Sequence, residues 1–458
     1  MSLGMAGINV KVISRNPDNY QRETKNDIHK ARRNFNAAED PFRHQVEYTR
    51  ALNSAKLERM FAKPFICALD GHSDGVHTLA KHPSRLSTVL SGSLDGQVKI
   101  WSLSNKKCLM TIQAHTGPVN GLSVDREDGK TYATVGQDSQ LKLWTLPDYI
   151  TGDVSEPLHS IPLADVAQSI SHFANSSDFA TSGDGICSWK IYRDSPVRKY
   201  DLGPNSVHSL SCNPIEPTIV GGCSADRSIF LLDLREKVPM TRVMLKMRTN
   251  KLSWNPIESY TFLAANEDYN VYAFDMRYLD SAKMVYKGST LAVMDVDYAP
   301  TGQEFVAGSY DRSLRLYRVD RVKSREIYHA PRMQHVMSVL WSMDNKYVLS
   351  GSDEFNIRLW KAYASEKLGP LRPREKAAFE YHERLRDTYQ HHPEVGRILR
   401  HRQLPKRIYT ANNELPNNPS FSASQEVQSH YTNKDWRGRQ IRPSRTYHQS
   451  WLERGRER

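Results

Sequence analysis

Between residues 67 and 361 the chain alternates apolar and polar residues in short stretches, seven times over. The stretches read VKIW at 98–101, LKLW at 141–144, ICSW at 186–189, IFLL at 229–232, VYAF at 271–274, LRLY at 314–317 and IRLW at 357–360. Period-two alternation predicts half-buried strands. Each stretch follows a tight turn with an acid, at Asp95, Asp138, Asp184, Asp226, Asp268, Asp311 and Glu354, in steps of 43, 46, 42, 42, 43 and 43 residues. A strand of small residues precedes each turn, such as Val89-Leu90-Ser91-Gly92-Ser93 or Val306-Ala307-Gly308-Ser309. Chance rarely keeps one period over so many copies.

A period of this length predicts an all-β, seven-bladed β-propeller over 67–361. Phe65 to Leu69 reads as a further strand. It is expected to pair with the last blade, closing the ring and removing a free sheet edge.

The first two copies carry more than the turn. Gly71-His72, Ser91, Asp95 and Trp101 recur as Ala114-His115, Thr134, Asp138 and Trp144. These residues resemble the WD-repeat family, which implies a hydrogen-bond network inside each blade. Copies three to six lose the Gly-His, Leu232, Phe274 and Tyr317 replace Trp, and Glu354 takes the Asp slot in the seventh. These blades are expected to rest on apolar packing rather than on the full network. A buried Asp–His pair needs hydrogen-bond partners to offset desolvation. Recurring once per blade, these groups cannot converge on one substrate.

Outside the repeats the pattern turns helical. Arg43 to Phe61 places Tyr48, Leu52, Ala55 and Met60 at helix-face spacing. Lys11 to Pro17 reads as an extended piece ended by a turn. After the repeats, Pro373 can occupy a first helical turn, where its missing N–H costs nothing. Ala377, Ala378, Phe379, His382, Leu385 and Tyr389 then follow at helix-like spacing. Pro393 opens a second helix with Val395, Ile398 and Leu399 on one face, ended by Pro405-Lys406-Arg407-Ile408-Tyr409.

Charge separates these regions. Net charge is +5 over residues 1–66, −2 over 67–360 and +9 over 361–458. A neutral scaffold with basic arms suits a polyanionic partner. The candidates for contact with RNA or a partner are Lys11, Arg15, Arg22, Lys25, Arg32 and Arg33 in the N-terminal arm. In the C-terminal helices they are Arg374, Arg397, Arg400, Arg402, Lys406 and Arg407. The N-terminal arm reads as a solvated amphipathic arm packed on the propeller or as one that orders on RNA or a partner, and the two are compatible.

The run SEKLGPLRPREKAAFEYHERLRDTYQHHPEVGRILRHRQLPKRIY, with VKVISRNPDNYQRETKNDIHKARRNF and NSAKLERMFAKPF in the arm, resembles the WD-repeat and SOF-domain-containing family. The likeness covers roughly residues 8–410 and divides the chain into an arm (1–66), the propeller (67–361), a helical Sof-like domain (362–410) and a basic tail (411–458). It implies a non-enzymatic scaffold of the small-subunit processome, the nucleolar particle that matures the 18S ribosomal RNA precursor. The partners it implies are pre-ribosomal RNA, the small nucleolar RNA particle and other processome proteins, in the nucleus and nucleolus.

The likeness also implies a substrate-receptor role in a cullin-RING ubiquitin ligase. Leu232-Asp233-Leu234-Arg235 and Phe274-Asp275-Met276-Arg277 resemble the W-D-x-R box that docks on the ligase adaptor. Asp233, Arg235, Asp275 and Arg277 are therefore adaptor-binding candidates, although neither copy has the leading Trp and Asp after the last strand is common in propellers.

The tail departs from the family. Pro, Asn and Ser crowd the stretch after Tyr409, a composition that predicts disorder. Trp436, Arg437, Arg439, Arg442, Tyr447 and Trp451 read as a solvated tail or as groups that stack on single-stranded RNA.

Other classes find little footing. There is no P-loop, no Gly-x-Ser-x-Gly elbow and no metal-ligand spacing, so no enzyme, cofactor or small-molecule substrate is expected. His382, His391, His392 and His401 lie among arginines, which would repel a cation. The five cysteines form no C-x-x-C pair, which favours a reducing compartment. No apolar run is long enough to span a bilayer, and MSLGMAGINVKVISR lacks a signal peptide's apolar core.

Overall fold

The computed structural model describes residues 42–146 and 156–414. The chain divides into two compact units, which among these residues comprise 42–56 with 372–396, and 57–371 with 397–414.

The larger unit is built on seven four-stranded antiparallel sheets. Blade one runs Val76–Lys81, Thr88–Ser93, Gln97–Ser102 and Lys107–Gln113, in that spatial order. Blades two to six repeat the order over 119–162, 169–200, 207–244, 249–286 and 293–328. Blade seven takes three strands from 336–361 and its outer strand from Phe65–Leu69, paired antiparallel to Ile357–Lys361 with Phe65 opposite Trp360 and Leu69 opposite Ile357. The early strand therefore closes the ring, as the pattern predicts.

Burial differs from the half-buried expectation. Of the alternating strands, all five residues of Val271–Asp275 are buried, as are five of the six in each of Gln97–Ser102, Ser228–Asp233 and Ser313–Arg318. The reason is that a blade is sandwiched between two others, so both of its faces are covered. The core is accordingly seven apolar seams, one between each pair of neighbours. Val98 and Ile100 face blade two with Val119 and Trp144, whereas Trp101 faces blade seven with Leu340 and Leu359. Alternation here sorts side chains between two seams rather than between core and water. Truncating a buried Trp in such a seam costs about 3–5 kcal/mol.

The smaller unit is helical. Helix α1 is Arg43–Met60, α2 is Pro373–Tyr389 and α3 is Pro393–Arg400; α1 and α3 each continue into the larger unit. Proline opens α2 and α3, and each has an acid in its first turn and arginine in its last, which suits the helix dipole. Tyr48 ties α1 to α3 by donating to Glu394 Oε2 at 2.5 Å and packing against His392 with ring centroids 4.3 Å apart. Tyr389 of α2 donates to Glu47.

Two helical expectations need correction. Met60 is 73% exposed, because the buried stripe Ala51, Ser54, Ala55 continues at helical period to half-buried Glu58 and Arg59. Pro405 does not end helical structure; it precedes a further helix, α4, Lys406–Glu414. Helix therefore runs past residue 410 into the stretch whose composition predicts disorder.

Candidate functional site

The turn between each blade's second and third strands shares a rim with the loops that join blades. Blade two shows the network in full. His115 Nδ1 lies 2.9 Å from Asp138 Oδ1, its Nε2 lies 2.9 Å from Thr134 Oγ1, and Trp144 Nε1 donates to that hydroxyl at 3.0 Å. A carboxylate only accepts, so Nδ1 carries the proton and Nε2 accepts from Thr134. Burial holds the His115 pKa below its usual value despite Asp138 beside it.

Blade one departs from the expected network. His72 Nε2 meets Ser91 Oγ at 2.7 Å, and Trp101 Nε1 donates to the same oxygen at 2.8 Å. Asp95 instead accepts from Ser73 Oγ at 2.5 Å and from the Gln97 amide at 2.9 Å. His72 Nδ1 is thereby left buried and without a partner, and burial together with nearby Lys99 lowers the His72 pKa to about 4.

Blades three to six are not held by apolar packing alone. Trp189 donates to Thr181 at 2.8 Å in blade three. In blade four, Arg242 of the outer strand pairs with Asp226. Asp268 accepts from Tyr272, Asp311 lies 3.3 Å from Arg315 Nη2, and in blade seven Glu354 pairs with Arg358. In these last three blades the partner stands four residues after the acid, one hairpin step across the turn. A basic residue four positions after the acid is the sequence signal for two of these pairs, Asp311 with Arg315 and Glu354 with Arg358.

The residue after the turn acid takes a left-handed backbone. Blade one uses Gly96, at φ 82°. Blades two, four, five, six and seven use Ser139, Arg227, Tyr269, Arg312 and Phe355, at φ between 54° and 71°. For such L-residues this conformation costs roughly 1–2 kcal/mol each.

The two blade ends with the D-x-R pattern differ. Asp275 is buried and accepts from Arg277 Nε at 3.1 Å and Nη2 at 3.0 Å, while the guanidinium carbon lies 4.0 Å from the Tyr260 ring centroid. Burial opposes ionisation of Asp275, but Arg277 outweighs it and holds the carboxyl below its ordinary range. At the other end the Asp233 carboxylate accepts from the Arg235 amide, at 3.0 Å, and the Arg235 side chain is exposed.

The C-terminal candidates also separate. Arg374, Arg397, Arg400, Lys406 and Arg407 are exposed. Arg402 is not: it donates to Leu399 O at 2.6 Å and stands 4.0 Å from Glu326. Arg59 donates to Glu326 at 2.9 Å and to Leu399 O at 2.6 Å. Arg325 beside them lies 3.2 Å from Glu304 and donates to Ala362 O at 2.8 Å. Arg59 and Arg402 thereby tie the end of α3 to Glu326 of blade six, whereas Arg325 ties blade six to Ala362. Arg407 reaches the Asp311 carbonyl at 3.4 Å, which sets α4 beside the blade-six turn. Lys11, Arg15, Arg22, Lys25, Arg32 and Arg33 lie outside the described residues, as do the aromatic and basic groups of the tail.

Comparison with known proteins adds the following. Residues 362–429 match the Sof1-like domain, and 63–102, 106–145, 281–318 and 326–361 match the WD domain, G-beta repeat. Blades three, four and most of five lie between the second and third matched repeats. Over 401 residues the chain is 52% identical to the DDB1- and CUL4-associated factor 13 of Xenopus tropicalis, covering 88% of this chain and 90% of that protein. The Homo sapiens protein of that name is 51% identical over 401 residues, with the same coverage of 88% and 90%. Protein SOF1 of Saccharomyces cerevisiae is 39% identical over 424 residues, covering 88% of this chain and 87% of that protein.

Proposed function

This chain belongs to the family of WD-repeat proteins that carry a Sof1-like domain, and from that membership we propose that it is a non-enzymatic scaffold of the small-subunit processome. In this role it supports processing of the 18S ribosomal RNA precursor and assembly of the small subunit in the nucleolus. The observation that carries the reading is the Sof1-like stretch itself, matched over 362–429. Its exposed arginines and lysines offer donors for phosphate oxygens, the contacts that position a protein on nucleic acid. Arg397, Arg400, Lys406 and Arg407 are the residues for that contact in the larger unit. Arg402 is left out because its guanidinium is engaged with Leu399 and its exposure is small.

The test is sedimentation of nuclear extract carrying the Arg397→Glu, Arg400→Glu, Lys406→Glu, Arg407→Glu chain. The substituted protein is expected to leave the precursor particles for the top of the gradient. Unchanged co-sedimentation would remove the RNA-contact role from these residues.

A second role is favoured by a separate observation. Asp233-Leu234-Arg235 and Asp275-Met276-Arg277 stand at equivalent ends of consecutive blades, and relatives are named for association with DDB1 and CUL4. The second reading is a substrate receptor whose Arg235 and Arg277 meet acidic groups of the ligase adaptor. Recovery of adaptor by the tagged chain, lost on Arg235→Ala with Arg277→Ala, supports it. Failure of the unsubstituted chain to recover adaptor removes it.

A further inference from the structure

Four consecutive blades place a large cationic or aromatic side chain at one equivalent turn position: Arg227, Tyr269, Arg312 and Phe355, in that order around the ring. All four have a left-handed backbone, with φ from 64° to 71°. Glycine serves at this position in blade one and serine, Ser139, in blade two, and the remaining non-glycine left-handed positions among the described residues are Lys106, Asn175 and Asn345. Arginine, tyrosine and phenylalanine are poor choices for that conformation by backbone criteria. Strain retained at equivalent positions points to use of the side chains.

The chemistry along the arc alternates cation and ring. Three of the turn acids beneath are matched by a cation of their own blade, Asp226 by Arg242, Asp311 by Arg315 and Glu354 by Arg358, and buried Asp268 accepts from the Tyr272 hydroxyl. Of the further acids on these turns, Glu267 stands 3.9 Å from Arg248 and Asp353 is exposed. Arg227 and Phe355 are exposed, and Tyr269 and Arg312 are half-buried. Arg407 of α4 reaches the backbone of the blade-six turn and adds a cation beside Arg312.

We propose that the rim of blades four to seven is a contact surface for single-stranded RNA, with Arg227 and Arg312 on phosphates and Tyr269 and Phe355 stacked on bases. Guanidinium groups and ring faces in alternation fit a strand whose own repeat is phosphate and base. An acidic protein segment would meet the cations but leave the rings without flat partners. The proposal deepens the processome reading and rests on it by naming a face for the RNA.

The test measures binding of the full chain to a fluorescein-labelled single-stranded RNA of about 20 nucleotides. The main variant carries Arg227→Gly, Tyr269→Gly, Arg312→Gly and Phe355→Gly. Glycine adopts the left-handed backbone freely, so the turns persist and Tm should hold or rise. Affinity is expected to fall at least about tenfold. The slope of log affinity on log salt should lessen by about 1.4, or about 0.7 for each lost phosphate contact. A milder variant, Arg227→Gln with Arg312→Gln, should show the same change of slope with a smaller loss of affinity.

Unchanged affinity and slope in both variants would overturn the proposal, as would no binding by the unsubstituted chain. Competition by polyglutamate as strong as that by unlabelled RNA of equal charge would also overturn it and assign the rim to an acidic protein. Sedimentation with precursor particles is a separate readout, so particles that retain the glycine variant leave the scaffold reading intact.

Discussion

His115 and Asp138 form the one pairing of loop histidine with turn acid seen among the described blades, at 2.9 Å between Nδ1 and Oδ1. Blade two therefore links acid, imidazole, hydroxyl and indole in one chain, with Thr134 as the shared link. Thr134→Val should orphan both the His115 Nε2 and the Trp144 N–H, each costing about 1–3 kcal/mol. Thr181→Val in blade three orphans the Trp189 N–H but no such imidazole. Thermal unfolding of the two variants should show the larger loss for Thr134→Val. Equal losses would mean that the histidine adds nothing to the blade.

Acid should weaken the fold through its buried imidazoles. Burial, with nearby cations, lowers the folded pKa of His72 and His208 to about 4 and that of His172 to about 3. The unfolded chain titrates these groups near 6.5, so it binds more protons than the folded chain as pH falls. Their full contribution is present above that pH and is lost as pH drops toward 4. Fully buried His172 can account for roughly 2 kcal/mol by pH 5, and the partly exposed His208 for less. A series of Tm values from pH 7.5 down to 5 should fall steadily, and His172→Asn should flatten the fall. A level series would refute the assignment of neutral histidines.

Arg59 joins the end of α1, Glu326 of blade six and the carbonyl of Leu399. Arg59→Ala should loosen the segment after α3 while leaving the blades intact. Limited trypsin digestion tests this, because cleavage of a transiently opened segment follows its opening equilibrium. Cutting at Arg402 and Arg407 should quicken about tenfold, equivalent to about 1.4 kcal/mol of lost closure. Unaltered cutting there would show that Arg59 does not restrain the segment.

The two D-x-R ends should contribute unequally to adaptor capture. Arg277 must leave both Asp275 oxygens and the Tyr260 face to meet a partner, whereas Arg235 projects into solvent. Arg235→Ala is expected to lower recovery more than Arg277→Ala in a quantitative pull-down. The reverse order would mean that the Asp275–Arg277 pair docks as a preformed unit.

What could be read from the chain alone follows from what every blade must repeat. Each blade needs the same hairpin, so the acids from Asp95 to Glu354 mark the ring, and an early strand is needed to close it. The acids' partners were less legible because blades satisfy the same turn by different routes. Arg242 reaches Asp226 from the outer strand, and Tyr272 reaches Asp268 from four residues on. Arg402 carried the same charge as its neighbours in the sequence. Only its place beside Glu326 and Leu399 sets it apart from exposed Arg397. Alternation in Gln97–Ser102 gave the strand but not its two-sided burial, because period two is the same whether the second face meets water or another blade.

The strand Phe65–Leu69 is made early in synthesis, and its partner Ile357–Lys361 near the end of the ring. At ordinary elongation rates the two are separated by roughly 15–60 s on the ribosome. For that interval the nascent chain carries a waiting strand and, on blade one, the raw face that will meet Leu340 and Leu359. A message truncated before codon 357 would leave both uncovered for good. Quality control thus has a simple criterion for a finished propeller: whether the first strand has found the last.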